Sequence, residues 1–407
     1  MARDRRAVVV ALGTATALSM GGDMLLYTVL PTEAAALGIG VAALGVILSI
    51  HRFIRLVANS AVGMIADRFG RRRPFLWGTA FALASTLGYL LAHGFWPLLA
   101  ARLVWGVAFA LILVSAYSIV LDVTSSDDRG RMVGWYQSLV AVGTMIALVM
   151  SGVLADRVGY RTALAIFTPF AALGWLVAYL TVHETRPARV AHAPRASVLQ
   201  TYRGVDRRLL WPGYVSFATF FAGNGVLMAT LGLHLQTELA GGGPAGLAVP
   251  LATITGLLLA ARKLAAIVAA PIAGLLSDQV GDRRWVAAAG VCAGIAGFAV
   301  LAGGGGIGVI AAGVVLTALG EGIVLPPLTA WAGDLTPASL RGVVMGGFAT
   351  ANDLGGAVGP LVGYTIGAAA GLRPAYALCA IFFLSALAAL AAAGPDPRRL
   401  RLAQALD

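Results

Sequence analysis

Lysine, cysteine and charge are all scarce in this sequence of 407 residues. It contains one lysine and two cysteines, and only 12% of its residues are charged, compared with about 25% in a typical soluble domain. By contrast, 59% of the residues are hydrophobic, and the mean hydropathy is +0.86. This composition excludes an ordinary soluble protein and predicts an all-α membrane protein that crosses the bilayer many times.

Several signatures of other functions are missing. Cys292 and Cys379 stand alone in apolar runs, which excludes a disulfide framework and a metal site of the usual spacing. The sequence has no H-E-x-x-H or G-x-S-x-G motif, and its five histidines are scattered, which argues against an intramembrane enzyme. His183 and Glu184 follow the sixth apolar run and are predicted to form a solvated boundary. We expect no enzyme activity, no cofactor and no bound metal.

The net charge of +11 does not indicate a nucleic-acid partner. The arginines lie in short turns between apolar runs and do not line one solvated face. We expect the partners to be the lipid bilayer, protons and a small-molecule substrate, with the chain acting as a monomer.

Long apolar runs define the organisation of the chain. A helix needs about 20 apolar residues to cross a bilayer, and a window of that length predicts twelve spans. The predicted spans are 7–30, 41–66, 75–93, 97–121, 132–154, 161–182, 211–235, 247–276, 285–302, 307–332, 343–367 and 374–394. The corresponding parts are an N-terminal six-helix bundle at 1–182, a cytoplasmic linker at 183–210, a C-terminal six-helix bundle at 211–394 and a cytoplasmic tail at 395–407.

The distribution of arginine predicts the orientation, because cytoplasmic loops carry the excess of positive residues. With the N-terminus in the cytoplasm, twenty-one arginines fall on the cytoplasmic side, and only Arg157, Arg161 and Arg373 fall outside. We therefore expect a multi-pass protein of the cytoplasmic (inner) membrane with both termini in the cytoplasm.

The two halves of the chain repeat each other. Gly63, Asp67, Gly70, Arg72 and Arg73 recur 211 positions later as Gly274, Asp278, Gly281, Arg283 and Arg284. Asp122, Arg129, Gly130 and Gly134 recur 212 positions later as Asp334, Arg341, Gly342 and Gly346. Several matches at nearly the same offset indicate a duplicated six-helix bundle.

The most informative stretch is the turn between the second and third spans, Gly63–Pro74. It has the spacing G-x-x-x-D-R-x-G-R-R-R between two apolar runs and is too short to leave the membrane surface. It resembles the signature loop between helices two and three of the major facilitator superfamily of transporters. This resemblance covers the whole chain and implies two pseudo-symmetric six-helix bundles with a substrate site between them, near the middle of the membrane.

The same resemblance implies a cytoplasmic gate. The positions that match it are Gly63, Asp67, Arg68, Gly70, Arg71 and Arg72, with Asp278 and Arg284 as a copy in the second half. In the family, the residue matching Asp67 helps to lock the gate by contacting loop arginines and the N-terminal end of the eleventh helix. Gln279 and Asp282 depart from the motif, which puts an equal role for the second copy in doubt.

Eight charged residues fall inside the predicted spans, where a charge costs from about 2.5 kcal/mol upwards and is usually functional. They are Asp23, Arg52, Arg55, Arg102, Arg262, Lys263, Glu321 and Asp353, accompanied by His51, Asn59, Asn224 and Asn352. The candidates for proton coupling are Asp23, Glu321, Lys263 and Asp353. The candidates for the substrate cavity are His51, Arg52, Arg55, Asn59, Arg102, Asn224, Arg262 and Asn352. For each of them, a purely structural ion pair or hydrogen bond is the alternative.

Helical rise allows the depths of some of these residues to be compared. Asp23 lies about 16 residues, or ~24 Å, beyond the start of the first span, and Arg52 lies about 15 residues, or ~22 Å, before Asp67. We therefore expect Asp23 and Arg52 to lie at one level and to form an ion pair. His51, Arg55 and Asn59 follow at intervals of four and should form one stripe, with Arg52 beside it.

Two further features bear on the mechanism. Lys263 is the only lysine of the chain and falls mid-span, and a desolvated lysine loses its proton far more readily than an arginine. Arg102 begins the pattern R-x-x-x-G-x-x-x-A, ending at Ala110, which resembles the fourth-helix motif of the superfamily. In proton-coupled members of that family, the matching arginine is linked to proton transfer.

Drug/proton antiporters of the family usually carry G-P-x-x-G-G late in the fifth helix, which this chain lacks. A related step, Gly359-Pro360 with Gly363, falls in the eleventh span instead. The favoured function is proton-coupled efflux of a drug or metabolite by alternating access. The alternative is a transporter of an organic anion, by symport or without protons, because five intramembrane cations exceed three acids. A sensor that does not transport also stays open.

Overall fold

A computed structural model describes residues 2–125, 128–185, 206–240, 250–280, 282–336 and 340–393. The side chains of residues 2–4, 60, 67, 240 and 341–343 are outside that description. The predicted tail and residues 186–205 of the predicted linker also fall outside it, so the predicted domain boundaries stay predictions.

The first half of the chain forms seven helices. They are α1 (Ala2–Leu18), α2 (Gly21–Glu33), α3 (Val41–Phe69), α4 (Arg72–Leu91), α5 (Phe95–Val123), α6 (Arg129–Val158) and α7 (Tyr160–Thr181). Helices α1 and α2 together make the first predicted span, interrupted at Ser19 and Met20.

The second half begins with a short 3₁₀ turn at Arg207–Leu209 and continues through seven more helices. They are α8 (Leu210–Thr219), α9 (Met228–Ala240), α10 (Leu251–Gln279), α11 (Arg283–Gly303), α12 (Ile307–Asp334), α13 (Arg341–Ala370) and α14 (Leu372–Ala392). A π-helical segment, Phe220–Leu227, joins α8 to α9 within the seventh predicted span.

Eleven helical stretches of the described chain are long and apolar enough to cross a membrane. The remaining predicted span, 343–367, lies within α13, a helix of 30 residues. No strand occurs in the described ranges. These helices are long because the chain has continuous apolar runs, and in a bilayer a helix satisfies all of its own backbone groups.

The chain packs into two compact units. The first unit contains the described residues among 1–190 and 246–260, and the second contains those among 191–245 and 261–407. Within the first unit, Asp156 at the end of α6 accepts hydrogen bonds from the backbone N–H and the hydroxyl of Thr253, both at 2.6 Å. A carboxylate at this position neutralises the free N–H groups and the positive dipole end at the start of α10.

Candidate functional site: two buried ion clusters

The first unit contains a buried cluster of Asp23, Arg102, His51, Tyr27 and Tyr89, which we name the Asp23 cluster. Arg102 is 0% exposed and its Nη1 donates to the Asp23 carboxylate. The other guanidinium atoms donate to the carbonyl of Ile47 at 3.2 Å and to His51 Nδ1 at 2.9 Å. The Tyr89 hydroxyl lies 3.4 Å from Nη1, and the Tyr27 ring lies 5.5 Å from the guanidinium carbon.

Close packing of helices brings these residues together. A Cβ at Gly106 would lie 2.7 Å from the backbone oxygen of His51, so only glycine lets α3 approach α5 this closely. Gly106 lies one turn after Arg102 and therefore sets the distance between Arg102 and His51. Gly22 plays a similar role next to Asp23, because a Cβ there would lie 2.6 Å from the Thr86 hydroxyl.

The cluster fixes the tautomer of His51. Arginine has donors only, so the Nδ1 atom that receives the bond from Arg102 must carry the lone pair. The proton of the neutral ring is then on Nε2, which faces the Tyr27 hydroxyl at 3.4 Å. His51 is therefore a neutral partner of Arg102 in this arrangement and not a third cation.

The expected partner of Asp23 was wrong. The ion pair is made by Arg102 on α5, whereas Arg52 on α3 pairs with no acid in the described part of the chain. Depth along the helix matched Asp23 with Arg52, but neighbouring residues of a helix point about 100° apart. His51 faces the cluster, so Arg52 faces elsewhere.

Arg52, Arg55 and Asn59 form a separate set on α3, which we name the arginine stripe. They follow each other at i, i+3 and i+7 and therefore share one helix face. The Arg55 guanidinium carbon lies 4.5 Å from the centre of the Phe109 ring. Arg52 Nε and Asn59 Oδ1 are buried and have no hydrogen-bond partner in the described ranges.

The second unit contains its own ion cluster, made of Glu321, Arg262 and Asn224 and named here the Glu321 cluster. Arg262 Nη2 donates to one Glu321 oxygen, and the Asn224 amide donates to the other at 2.8 Å. The Glu321 side chain is 14% exposed, compared with 8% for Asp23. A Cβ at Gly322 would lie 2.5 Å from the carbonyl oxygen of Ala266, so this glycine lets α12 approach α10 one turn after Arg262.

The π-helical segment supplies one member of the Glu321 cluster. It spans Phe220–Leu227 and carries Asn224, and a Cβ at Gly223 would lie 2.5 Å from Arg262 Nη2. A π segment has an extra residue per turn, which changes the direction of side chains that follow it and often occurs at functional sites. The apolar pattern of the seventh predicted span does not indicate this segment, and the local signal for it is the run Gly223-Asn224-Gly225.

The other predicted site residues of the second unit lie on α10 and α13. Asp353 on α13 is buried, and Lys263 on α10 is half-buried. The Asn352 side chain accepts a hydrogen bond of 2.5 Å from the Ser216 hydroxyl. Gly363 and the Gly359-Pro360 step pack α13 against the π segment and α9, so this step has a packing role here.

The predicted gate of the first unit contains a network around the turn between α3 and α4. Arg71 Nε pairs with Asp122 at 3.1 Å, and its backbone N–H donates to Glu184 at 2.9 Å. Arg72 Nε donates to the carbonyl of Val182 at 2.7 Å. Gly70 has a positive φ of 88°. The turn is therefore tied to the ends of both α5 and α7.

The structure describes the surroundings of some other residues of the predicted gate but not of all of them. The Arg68 guanidinium lies 5.4 Å from the Phe69 ring centre, and a Cβ at Gly63 would meet nothing within 4 Å among the described residues. The side chain of Asp67 lies outside the described residues, so its role stays a prediction. Nearby, the backbone N–H of Ser125, together with Arg5, holds the pKa of the Asp128 carboxyl below its usual value.

The second-unit copy uses a different arginine from the one expected. Arg283 at the start of α11 pairs with Asp278 and Asp334, both at 3.2 Å. Arg284 instead pairs with Asp282, two residues before it, at 2.6 Å. Arg283 therefore corresponds to Arg71, at an offset of 212 and not 211.

His183 and Glu184 are exposed after the end of α7, as the predicted solvated boundary requires. Glu184 also has a contact that was not predicted, because its two oxygens accept the backbone N–H groups of Arg71 and Arg72 at 2.9 and 3.3 Å. A carboxylate at the N-terminus of α4 stabilises that helix. The sequence offers no signal for this contact between residues more than 110 positions apart.

The two clusters define what the interior can do chemically. Each holds one carboxylate that can bind a proton and one arginine that stays charged. In the described ranges, no group of three or more His, Cys, Asp or Glu side chains could hold a metal ion. Buried, exchangeable charges within a bundle of membrane-spanning helices are typical of a transport protein.

The comparisons with known proteins define the family. The sequence profile of the Major Facilitator Superfamily matches residues 12–261 and 216–406, so the chain belongs to this family of multi-pass membrane transporters. The members of this family are membrane transporters and not enzymes. The predicted fold class, two bundles of membrane-spanning helices, is confirmed.

The curated relatives include resistance and efflux proteins. The chain is 29% identical over 132 residues to the methylenomycin A resistance protein of Streptomyces coelicolor, covering 32% of this chain and 28% of that protein. It is 24% identical over 124 residues to the drug efflux pump JefA of Mycobacterium tuberculosis, covering 30% and 24%. Each match therefore spans less than a third of the relative's length.

Solved structures share the fold at low identity. A bacterial homolog of the human lysosomal transporter Spinster, inward-facing and unoccupied, has a TM-score of 0.80 at 17% identity, with 98% of both chains covered. A mutant of the nucleoside transporter NupG has a TM-score of 0.79 at 11% identity, covering 96% of this chain and 98% of that one. These similarities show the fold alone.

Proposed function

We propose that this transporter exports a small molecule in exchange for protons and that Asp23 carries the proton. The observation that carries the proposal is the fully buried pair of Asp23 and Arg102. A carboxylate in a low-dielectric interior is held charged by its arginine, so any change in that pairing changes its tendency to bind a proton. The names of the resistance and efflux relatives support the export direction.

The Asp23 cluster suggests how protonation is coupled to movement. When Asp23 is protonated, it loses its attraction to Arg102, and the guanidinium keeps only neutral partners, His51, Tyr89 and the carbonyl of Ile47. An arginine without a countercharge is costly inside the membrane. Protonation therefore favours a rearrangement of α5 against α2 and α3, which is the local step that alternating access requires.

Glu321, Lys263 and Asp353 are secondary candidates for the same role. Glu321 is bound by both Arg262 and Asn224, so its pairing resembles that of Asp23 in the other unit. We place Asp23 first because its arginine is completely enclosed.

The decisive experiment uses purified protein in liposomes that contain a pH-sensitive dye. Methylenomycin A, organic cations and organic anions are added in turn under an imposed proton gradient. We expect substrate-dependent proton movement in the wild type, its loss in Asp23→Asn, and its retention in Asp206→Asn, an exposed control at which asparagine also caps well.

Unchanged proton movement in Asp23→Asn rejects Asp23 as the carrier. Substrate flux that ignores the proton gradient in the wild type rejects the coupling and supports the alternative, an organic anion transporter that works without protons.

The cytoplasmic gate is proposed from the family resemblance and from the network around Arg71. Asp67→Asn should slow turnover and leave substrate binding intact, because the gate controls conversion between states and does not contact substrate. Turnover equal to wild type would remove Asp67 from the gate.

We also propose the location and orientation. The excess of arginine in the predicted cytoplasmic loops favours the cytoplasmic (inner) membrane with both termini in the cytoplasm. One chain has both halves of a transporter, which favours a monomer. Cleavage or labelling of tags at both ends, in closed cells and in inverted vesicles, tests the orientation.

A further inference from the structure

The two units differ in the charge of their interiors. Four charged residues fall inside predicted spans of the first unit, three positive and one negative: Asp23, Arg52, Arg55 and Arg102. Four fall inside predicted spans of the second unit, two of each sign: Arg262, Lys263, Glu321 and Asp353. Among these residues the formal charges balance in the second unit, whereas the first has an excess of two positive charges.

The acid that falls inside a predicted span of the first unit, Asp23, is bound to Arg102, and Arg102 also donates to His51, which is its neutral partner. Arg52, the first member of the arginine stripe, has no ion pair with any acid in the ranges that the structure describes.

Two residues of the arginine stripe, Arg52 and Asn59, each have a buried polar atom without a hydrogen-bond partner in the described chain. Arg52 Nε is a buried donor and Asn59 Oδ1 a buried acceptor, and neither has a hydrogen-bond partner within the described chain. The stripe extends about 10 Å along α3, from Arg52 to Asn59. Its middle member, Arg55, lies against Phe109, which limits the freedom of the guanidinium.

An arginine without a countercharge inside a membrane protein costs folding free energy, so it is normally retained only where another group binds to it. We propose that the arginine stripe binds the oxyanion group, carboxylate or phosphate, of an organic anion that this protein transports. Arginine presents several donors in a plane and suits both groups. The proposal rests on the transport function proposed above and names the substrate class for it.

The same geometry disfavours a cationic substrate in the first unit. A cation would need a carboxylate, and Asp23 is enclosed with its arginine. Bound next to the stripe, a cation would also be repelled by the positive charge of Arg52, which has no carboxylate partner in the described ranges. An anion instead neutralises the excess charge and can satisfy Arg52 Nε.

The test is equilibrium binding to the full chain in lipid nanodiscs, without any proton gradient. The probes share one alkyl tail: octanoate, octyl phosphate, octyltrimethylammonium and octanol. We expect one or both anions to bind at least tenfold more tightly than the cation and the alcohol. The stronger of octanoate and octyl phosphate identifies the head group.

Substitutions in the stripe connect this preference to its residues. Arg52→Gln should weaken anion binding at least tenfold, and Arg52→Lys, which keeps the charge, should restore most of the affinity. Arg157→Gln, at an exposed arginine at the end of α6, is the control and should bind as the wild type does.

Stability separates a binding role from a structural one. Since Arg52 has no carboxylate partner in the described ranges, Arg52→Gln should not lower the melting temperature of the unliganded protein. Asn59→Asp is an independent variant, because it places a fixed carboxylate beside the arginines. It should abolish anion binding and leave the melting temperature unchanged or higher.

Preference for octyltrimethylammonium, equal binding of all four probes, or binding of none of them overturns the proposal. So does anion binding that is unaffected in both Arg52→Gln and Asn59→Asp. Because the assay uses no gradient, its failure is distinct from that of proton coupling. Anion binding without proton movement supports anion recognition by the arginine stripe and rejects proton antiport. Proton-driven export of a cation supports antiport and rejects anion recognition by the stripe.

Discussion

The two buried ion pairs, Asp23 with Arg102 and Glu321 with Arg262, are built by the same device in two halves of a duplicated chain. In each half, a glycine lets two helices touch within a turn of the arginine, at Gly106 and at Gly322. The surroundings then diverge. Arg102 is completely enclosed by polar and aromatic partners, whereas Glu321 is partly exposed and lies next to a π-helical segment.

The two pairs therefore differ in their surroundings. The pair in the first unit is enclosed, and Arg52 on the neighbouring α3 has no carboxylate partner in the described ranges. The pair in the second unit lies next to a π-helical segment, a kind of irregularity that often occurs at functional sites. Under the proposed function, the two halves of the duplicated chain would then have different roles.

The largest loss of stability in this comparison is expected for Arg102→Gln. It leaves Asp23 buried without a countercharge, and removal of one partner of a buried ion pair costs about 3–5 kcal/mol. Unfolding of the purified protein, followed by circular dichroism in increasing denaturant, measures the change. The double variant Asp23→Asn/Arg102→Gln should recover much of the loss, and a double variant as unstable as the single one would show that Arg102 acts through packing.

The matching change in the second unit is Arg262→Gln. We expect a smaller loss, about 1–3 kcal/mol, because Glu321 is partly exposed and keeps its hydrogen bond from Asn224. The same unfolding assay applies. A loss as large as that of Arg102→Gln would mean that the two pairs are equally enclosed and would remove the contrast between the units.

Gly223→Ala tests the π-helical segment. The added methyl group would lie 2.5 Å from Arg262 Nη2 and 3.1 Å from the Glu321 carboxylate, so the pair must shift. We expect a net cost of about 1 kcal/mol and a clear loss of transport. Gly213→Ala on α8 is the control, because a Cβ there meets nothing within 4 Å among the described residues. Equal transport by both variants would remove the segment from the mechanism.

The smallest effect is expected at the turn between α3 and α4. Glu184→Gln removes a negative charge from the N-terminus of α4 and should cost about 0.3–1 kcal/mol. Asp206→Asn, at the exposed start of the 3₁₀ turn in the second unit, keeps a capping side chain and should cost less. Differential melting of the two variants at low salt measures this order, and a greater loss for Asp206→Asn would reverse the assignment.

The sequence alone predicts the parts of this molecule that depend on composition and spacing. Twelve apolar runs, the duplication and the glycine-arginine turn are enough to indicate the family. The burial of Asp23 and Arg102 also follows from sequence, because a charge within a long apolar run must face inwards.

The partners of these charges could not be predicted, because they depend on how each helix is rotated about its axis. Asp23 and Arg52 have similar predicted depths, but at the helix contact near Gly106 it is His51, and not Arg52, that faces Arg102, the partner of Asp23. The π segment shifts the register of the side chains around Asn224, and a window of apolar residues does not detect it. Arg283 replaces Arg284 as the bridging residue because the repeat offset changes by one position.

Lys263 has a practical consequence. It is the only side-chain amine in the 407 residues, and it immediately follows Arg262 of the Glu321 cluster. Once the α-amine of the chain is blocked, an amine-reactive fluorophore has one side-chain target, without any cysteine having to be introduced or removed. Such a label gives a single optical signal from the second unit, which can be compared in time with the proton movement proposed for Asp23 in the first unit.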